Sequence, residues 1–334
     1  MTTVGDLGEF GLIERLAGTV AAARLDAPAG KGFQLLLGIG DDAAAWRSGP
    51  GVMVSTTDTM VEGVHFTQAT TPWQDVGWKV MAANLSDVAA MGALPTCAVV
   101  TLGLPRGYPV SAVDALYEGM LEACKRYHFL LVGGDIVHSS QCFVTVAING
   151  VCLSEPLTRS SARVGDAIAV TGQLGGSAGG LRLLQSGAVL DSGAANALVS
   201  VHRRPQPRLE EGQRLVSAGI RCAMDVSDGL LADLAKLCQA SGVAARVHSD
   251  QVPMDSSLRQ MWPDHALQMA LNGGEEYELL FAGDSPLVSR VVADLPHGAV
   301  IGEITAGKPG SVSVHDRQGR ELAVASSGWD HMHP

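Results

Sequence analysis

The chain has 334 residues and carries 23 basic against 34 acidic side chains, a formal net charge of −11. This excess of carboxylates repels phosphate polyelectrolytes and excludes unassisted binding to bulk nucleic acid or to an anionic membrane surface. The 40 glycines exceed the average usage of ~7% and indicate tight turns or close backbone approaches. The length predicts about two domains, each large enough to bury its own core.

The first half of the chain alternates helical and strand patterns. Thr71 as N-cap, Pro72 at the first helical position and Gln74 form a capping-box pattern that begins one of the helices. The predicted helices are 9–24, 71–91 and 110–127, and the predicted strands are 34–37, 52–55, 96–102, 129–132 and 141–152.

The second half alternates in the same way after a break at Pro156. The predicted helices are near 177–185 and over 209–218, 229–240 and 286–295, and the predicted strands are 167–171, 221–224, 244–248 and 277–282, with further β structure in 300–324. We therefore predict a mixed α/β (α+β) chain of two domains, 1–152 and 153–334.

Several features predict where the protein works. No uninterrupted apolar stretch reaches ~18 residues, so we predict no membrane span. The first ten residues lack the basic start and apolar run of a secretory signal. The six cysteines form no CxxC pair and no zinc-finger spacing with histidine, which is typical of reduced thiols. We expect a cytoplasmic protein.

Acidic turns flanked by Gly, Ser or Thr are the main chemical feature. They occupy 38–42, 55–59, 84–87, 133–135 and 225–229. Most are predicted to follow a strand or to lie in a helix, and open α/β sheets gather ligands at the carboxyl ends of their strands. Carboxylates and hydroxyls are hard oxygen ligands that suit Mg²⁺. If these turns converge in space, they predict a site for several magnesium ions.

Simpler interpretations exist for single turns. Asp before Gly often only forms a turn or caps a helix, and Asp228 at the start of a predicted helix is a natural cap. Gly38, Gly40 and Ala43 match the dinucleotide pattern GxGxxA. However, the adjacent carboxylates of 41–42 would lie where a pyrophosphate must bind, so we reject a dinucleotide fold. Residues 30–32 contain a lysine between glycines but no Walker frame.

Without a P-loop lysine, phosphates must be held by metal ions and arginines. Arg159, just after the predicted domain boundary, is a candidate phosphate clamp or equally a solvated loop arginine. The glycines of 273–274 indicate close ligand approach near Glu275, whereas Glu276 and Glu278 share the other alternation phase and are expected to be solvated. His65 and Trp329, taken alone, are more typical of packing than of ligand contact.

The motifs resemble, in order and spacing, those of the thiamine-monophosphate kinase family across residues 9–331. They are GIGDDAA, STTDTMVEGVHF, NLSDVAAMGALP, GGD, LTRSSARVGD, DVSDGL, GGEEYEL and SGWDH. The TDTxVxGxHF, GGExYEL and GWDH segments separate this family from the wider aminoimidazole ribonucleotide synthetase-like superfamily. The resemblance implies that superfamily's two-domain fold. Its N-terminal mixed sheet with helices serves ATP and Mg²⁺ binding and homodimer formation, and its C-terminal α/β domain completes the nucleotide and thiamine-phosphate site.

The resemblance also implies the reaction and the residues that serve it. The γ-phosphoryl group of ATP passes to thiamine monophosphate with the help of several Mg²⁺ ions, and no protein base is proposed because the acceptor phosphate is already anionic. The implied magnesium ligands are Asp41, Thr56, Thr57, Asp58, Asp87, Asp135, Asp225 and Asp228. The implied ATP-binding residues are Tyr117, Gly134, Asp135, Arg159 and Ser227. The implied substrate-binding residues are His65, Glu275 and Trp329.

Two alternatives compete with this interpretation. Selenophosphate synthetases rely on a reactive cysteine near the N-terminus, but the first cysteine here is Cys97; the related hydrogenase maturation factor carries a C-terminal cysteine, but this chain ends His333-Pro334. A catalytically silent protein that senses nucleotides or binds metal is the alternative of a different class. Assay of thiamine diphosphate formation separates the three.

Overall fold

The computed structural model describes residues 2–28, 30–39, 43–187 and 192–324. The described residues fall into two compact units, one from 1–88 and 93–155 and one from 89–92 and 156–334. The main division, between 155 and 156, therefore lies close to the predicted boundary between 152 and 153. Each unit contains its own mixed sheet and helices, so the predicted mixed α/β class is confirmed.

The first unit contains three of the described helices and six of the described strands. The helices are α1 Val4–Ala22, α2 Trp73–Ala90 and α3 Val110–Tyr127, and the strands are β1 Gln34–Leu37, β2 Ala45–Arg47, β3 Val52–Val61, β4 Leu94–Leu104, β5 Leu130–His138 and β6 Phe143–Cys152.

A four-stranded sheet in the order β3-β6-β4-β5 forms the centre of this unit. The pairs β3–β6 and β6–β4 are antiparallel, and β4–β5 is parallel. Along β6, Val144, Val146 and Ile148 are fully buried while the residues between them are half-buried. Because successive strand residues point to opposite faces, one face of the sheet packs into the core and the other is more open.

Glycines let α2 and α3 pack with their backbones close together. A Cβ at Gly77 would lie 1.9 Å from the Leu116 carbonyl oxygen, and one at Gly119 would lie 1.8 Å from that of Gln74. Neither distance is possible for a side-chain carbon, so glycine is required at both positions. These glycines contribute to the high content noted in the sequence without touching a ligand.

The second unit contains the remaining described elements. Its helices are α4 Gly176–Ser186, α5 Gly193–Arg203, α6 Leu209–Ala218, α7 Leu230–Ser241, α8 Ser256–Met261, α9 Ala266–Asn272 and α10 Ser285–Ala293, and its strands are β7 Ala167–Val170, β8 Cys222–Asp225, β9 Ala244–His248, β10 Leu279–Gly283, β11 Ala299–Thr305 and β12 Val312–His315. The strands form one sheet in the order β12-β9-β11-β7-β10-β8, antiparallel except for β12–β9.

The core of the second unit lies between this sheet and α7. Leu230, Leu234 and Leu237 of α7 pack against strand residues such as Ile168 and Leu280, and all five are fully buried. A smaller cluster joins α4, α5, α8 and α9. The fold thus fixes the loop that follows β8 and the segment that precedes β10, where Ser227, Asp228 and Glu275 lie.

The main differences from the predicted elements involve short or kinked segments. Helix α1 begins at Val4, where Thr3 caps it and exchanges hydrogen bonds with Asp6, and it is interrupted at Gly8, which has φ of 66°. The sequence did not predict β2, α5, α8 or α9. Of these, β2 has three residues and α8 and α9 have six and seven, too few for a periodic pattern to emerge.

Candidate functional site

The polar run of 55–59 lies within a strand and not in a turn. Thr56, Thr57 and Asp58 all belong to β3, which continues to Val61, so the predicted strand end at residue 55 is wrong. Alternation along β3 places Thr56 and Asp58 on the face of the sheet that packs against the helices, and Thr57 on the other face. The Thr57 hydroxyl donates to the Val146 carbonyl oxygen at 3.0 Å.

Asp87 reaches this face from α2. Its Oδ2 accepts a hydrogen bond from Thr56 Oγ1 at 2.5 Å, although the two residues are 31 positions apart in sequence. Asp87 and Thr56 are half-buried and Asp58 is exposed. The structure therefore brings a hydroxyl and a carboxylate together, with a second carboxylate two residues along the same strand face.

The chemical character of these oxygen atoms suits a magnesium ion. Thr56 Oγ1 and Asp87 Oδ2 are hard oxygen atoms separated by 2.5 Å. Among the described residues, no group of three or more His, Cys, Asp or Glu side chains is arranged to hold a metal ion. Mg²⁺ commonly binds one or two carboxylates, with water and substrate phosphates completing its coordination, so two protein donors in contact suffice for a partial site.

Gly134 and Asp135 lie inside β5, where the sequence predicted a turn after a strand ending at Val132. The structure corrects this prediction, because β5 runs on to His138. A Cβ at Gly134 would lie 2.0 Å from the Val100 carbonyl oxygen of β4, so pairing of the strands explains this glycine. Asp135 is exposed, and its Oδ1 accepts from the neighbouring Ile136 N–H at 2.9 Å.

The register separates Asp135 from Asp58 within the first unit. Asp58 pairs with Val146, which is fully buried on the core side, whereas Asp135 pairs with Thr101 in the next row. Paired residues share a face and adjacent rows alternate, so the two carboxylates lie on opposite faces of the sheet. Their expected convergence does not occur within this unit, and the role of Asp135 stays a prediction.

His65 is held by its own turn. Its Nδ1 accepts a hydrogen bond from the Val61 backbone N–H at 3.0 Å, so the neutral ring carries its proton on Nε2. Nearby, the Glu62 carboxylate accepts from Tyr108 Oη and, at 2.9 Å, from Gln68 Nε2. The sequence analysis missed Glu62, although it stands within the VEGVHF run that carried the resemblance.

Tyr117 and Arg159 occupy very different environments. Tyr117 is 5% exposed on α3, and burial raises the pKa of its phenol. Packing accounts for this tyrosine, and a nucleotide contact stays a prediction. Arg159 lies on a loop and is exposed. Its backbone carbonyl oxygen accepts a hydrogen bond from Ser241 Oγ at 2.9 Å.

In the second unit, the buried Asp233, which the sequence analysis missed, organises the 225–229 turn. Asp225 is the last residue of β8 and is 6% exposed. Beyond it, the backbone N–H groups of Ser227 and Asp228 both donate to Asp233 Oδ2 at 2.9 Å. Asp233 is fully buried on α7, and burial raises the pKa of its carboxyl. The signal was present, since DGLLAD puts an acid one turn into the helix.

Lys236 is the cationic partner of this turn. Its Nζ donates to Asp228 Oδ2 and, at 2.8 Å, to Asp233 Oδ1. Burial lowers the pKa of the Lys236 ammonium, but the two carboxylates outweigh that effect and raise it. Gly229, and not Asp228, is the N-cap residue of α7, so the interpretation of Asp228 as the cap is wrong.

The GGEEYEL segment packs directly against this turn. The Glu275 N–H donates to the Ser227 carbonyl oxygen at 2.7 Å, and the Tyr277 N–H donates to that of Val226 at 2.9 Å. A Cβ at Gly274 would lie 2.7 Å from the same Ser227 oxygen, which explains the glycine. Glu275 and Tyr277 have φ of 61° and 53°, a left-handed backbone that non-glycine residues adopt mainly at constrained sites.

The expected solvation of Glu276 and Glu278 is wrong, because they are 6% and 4% exposed. Glu278 forms a bidentate pair with Arg208, at 2.8 Å to Nε and 2.5 Å to Nη2, and also accepts from Thr171 Oγ1 at 2.6 Å. Burial raises the pKa of Glu276 to about 8, against the opposing effect of backbone N–H donors from the start of α4. The alternation argument failed because the segment before β10 is a left-handed turn and not a strand.

Two of the predicted site residues, Asp41 and Trp329, lie outside the described residues, as do Gly40 and Asp42. Of the helices that the structure describes, none has the length and apolar character to cross a membrane.

Comparison with known proteins identifies the family. Residues 40–152 match the model of the AIR synthase related protein N-terminal domain, and residues 163–315 match its C-terminal domain. Thiamine-monophosphate kinase from Escherichia coli strain K12 is 36% identical over 97% of this chain and 98% of its own. This chain belongs to the thiamine-monophosphate kinase family.

Solved structures of the family share the fold. The thiamine-monophosphate kinase from Stenotrophomonas maltophilia K279a is 35% identical and superposes with a TM-score of 0.78, covering 93% of this chain and 96% of that chain. AaThiL complexed with AMPPCP and TMP is 31% identical with a TM-score of 0.77, covering 99% of both chains. The family assignment and the two-domain architecture predicted from the sequence are confirmed.

Proposed function

We propose that this chain catalyses the ATP-dependent phosphorylation of thiamine monophosphate to thiamine diphosphate. The observation that carries this proposal is the likeness to AaThiL complexed with AMPPCP and TMP, which extends over 99% of both chains. The full-length similarity to the Escherichia coli kinase supports it, as do the two organised motif groups, Thr56 with Asp87 and the 226–228 turn with the 273–278 segment.

We propose that Thr56, Thr57, Asp58, Asp87 and Asp135 of the first unit, with Asp225 and Asp228 of the second and Asp41, hold the magnesium ions. When bound, Mg²⁺ neutralises phosphate charge and aligns the groups for in-line transfer. The Thr56–Asp87 contact supports this assignment most directly, because it presents two hard oxygen donors in contact.

The other residues bind and orient the two substrates. His65 presents Nε2–H as a donor suited to a phosphate oxygen, because Nδ1 is occupied by the Val61 N–H. Glu275 and Trp329 are assigned to the thiamine moiety. The nucleotide is assigned to Tyr117, Gly134, Asp135, Arg159 and Ser227. The acceptor phosphate is already an anionic nucleophile, so positioning and electrostatic stabilisation supply the catalysis without a protein base.

We propose a cytoplasmic homodimer formed through the open face of the first unit's sheet. That face carries Met53 and Val137, which are 41% and 38% exposed on the outer strands of the sheet. All six cysteines are buried free thiols, which supports a reducing compartment. Light scattering that finds only monomer would refute the dimer.

Direct assay tests the proposed activity. The purified protein, incubated with ATP, Mg²⁺ and thiamine monophosphate, should form thiamine diphosphate and ADP in equal amounts, as measured by chromatography. Reactions without ATP or with EDTA are the controls. If metal and nucleotide bind but no thiamine diphosphate forms, the silent regulatory alternative is correct and the proposal is wrong.

A further inference from the structure

A buried polar chain that leads to Glu275 is the strongest unassigned feature of the second unit. Ser177 lies in the first turn of α4 and His202 in the last turn of α5, and they are 1% and 2% exposed. Ser177 Oγ and His202 Nδ1 are 3.0 Å apart, and the same Nδ1 lies 3.6 Å from Glu275 Oε2. Buried polar groups usually have hydrogen-bond partners. Here the series of polar contacts runs from Ser177 through His202 and ends at the Glu275 carboxylate.

Of these three residues, only Glu275 has a substantially exposed side chain. Its side chain is 27% exposed, against 3% for that of His202. Its backbone is fixed in the left-handed region by the hydrogen bond to Ser227. One carboxylate oxygen therefore faces the buried imidazole while part of the side chain remains accessible to a ligand.

The neighbouring glutamate is anchored in a different direction. The backbone N–H groups of Gly175, Ser177 and Ala178 at the start of α4 lie near the Glu276 carboxylate and oppose the rise in its pKa. Ser177 thus lies near Glu276 with its backbone N–H and near His202 with its hydroxyl. The start of α4 therefore lies beside Glu276 directly and beside Glu275 by way of His202.

We infer that His202, supported by Ser177, is a positioning residue that fixes the Glu275 carboxylate as a preformed acceptor for the thiamine moiety. This inference rests on the proposed function and deepens it by naming what orients the substrate-binding glutamate. A cationic ring or an amino group of the ligand then binds a carboxylate whose side-chain rotamer is already fixed. When a side chain is ordered before the ligand binds, the free energy of binding no longer includes the entropic cost of ordering it.

The inference predicts a selective effect of His202→Ala on one substrate. The KM and the calorimetric Kd for thiamine monophosphate should rise about tenfold, equivalent to ~1.4 kcal/mol. The kcat and the KM for ATP should change by less than about twofold, because the nucleotide and the metal ligands are untouched. His202→Asn should recover most of the affinity, since its amide nitrogen takes the place of Nδ1. Val199→Ala, a truncation of a buried residue on the same helix, is the control for a purely structural loss.

A double-mutant cycle with Glu275→Gln decides whether His202 acts through Glu275. In the Glu275→Gln background, His202→Ala should no longer weaken thiamine monophosphate binding, because interacting residues are non-additive. A full His202→Ala effect in that background, or an equal effect of Val199→Ala, would overturn the inference. If His202→Ala does not fold, Ser177→Ala supplies the same cycle. Wild-type protein that binds thiamine monophosphate without forming product would refute the proposed function alone.

Discussion

The acidic residues of the two units differ in how far they are buried. In the first unit, Asp58 and Asp135 are exposed, and Asp87 is half-buried against the Thr56 hydroxyl. In the second unit, the carboxylates of Asp233, Glu276 and Glu278 are buried among lysine, arginine and backbone N–H donors. The same kind of motif, an acid beside small residues, therefore has two environments.

This difference separates two uses of a carboxylate. A carboxylate exposed to solvent can be reached by an exchangeable cation, whereas a buried one must be compensated permanently by the protein. The exposed Asp58 and Asp135 can be reached by magnesium, whereas the buried Asp233 and Glu278 fix the loops that carry Ser227 and Glu275. Removing Asp58 should therefore impair activity without affecting the fold, and removing a partner of Asp233 or Glu278 should impair the fold.

The largest effect is expected at Asp58. Asp58→Asn keeps the shape of the side chain and removes its charge, so turnover should fall at least ~100-fold, the scale of losing one electrostatic contact to a transition state. Thiamine diphosphate formation across a magnesium titration measures it, and an unchanged melting temperature shows that the fold is intact. Asp114→Asn, a charge removal on α3 of the same unit, is the matched control. Wild-type turnover by Asp58→Asn would contradict the magnesium assignment.

Breaking the buried Arg208–Glu278 pair comes next. Arg208→Ala leaves Glu278, 4% exposed, without its bidentate partner, and should lower the free energy of unfolding by ~3 kcal/mol. Arg246→Ala removes an arginine from an exposed pair with Glu303 in the same unit and should cost less than ~1 kcal/mol. Urea denaturation measures both. Equal losses in the two variants would show that burial does not distinguish these pairs.

A pH-dependent effect, smaller per pH unit, is expected at Glu276. Because its pKa in the folded protein is about 8 and its usual value is 4.5, folding takes up a proton between these pH values. The contribution of this group to stability is complete below pH ~4.5 and declines as pH rises through about 8, by up to ~1.4 kcal/mol per unit. Glu276→Gln should flatten this part of the curve of unfolding free energy against pH. An unchanged slope in the variant would show that Glu276 is ionised in the folded protein.

The smallest effect is expected at the exposed Arg15–Asp114 pair of the first unit. Arg15 Nε and Nη2 bind the two oxygens of Asp114 at 2.7 and 2.6 Å, but the arginine side chain is 50% exposed. Arg15→Ala should leave the free energy of unfolding nearly unchanged, because solvent screens an exposed ion pair. A loss as large as that of Arg208→Ala would mean that ideal geometry outweighs solvent screening here.

Regular elements with strong periodicity were predictable from the sequence alone. The bounds of α3, α6, β1 and β9 agree with the predictions, because each has a clear apolar pattern ended by a polar residue, a glycine or a turn. The continuation of β5 through Gly133 and Gly134 was not predictable, since glycine is a poor strand former. It depends on the close approach of β4, where any side chain at Gly134 would meet the Val100 oxygen.

The candidate site likewise contains residues that were predictable from the sequence and residues that were not. The sequence identified Asp87 and Glu275, but it missed Asp233, Lys236 and His202, which hold the loops around them. Local alternation misassigned Glu276 and Glu278 because their partners are remote: Arg208 is 70 residues from Glu278 and Thr171 is 107 residues from it.

The sequence by itself determined the family and the mixed α/β class, and it selected the acidic motifs that make up the candidate site. These depend on residue identity and local spacing, which can be read along the chain. Only the tertiary structure decided which carboxylates are exposed and which are buried, because that depends on contacts between segments that folding brings together. Among the 34 acidic side chains behind the net charge of −11, Asp58 and Asp135 are exposed, whereas Asp233, Glu276 and Glu278 are buried.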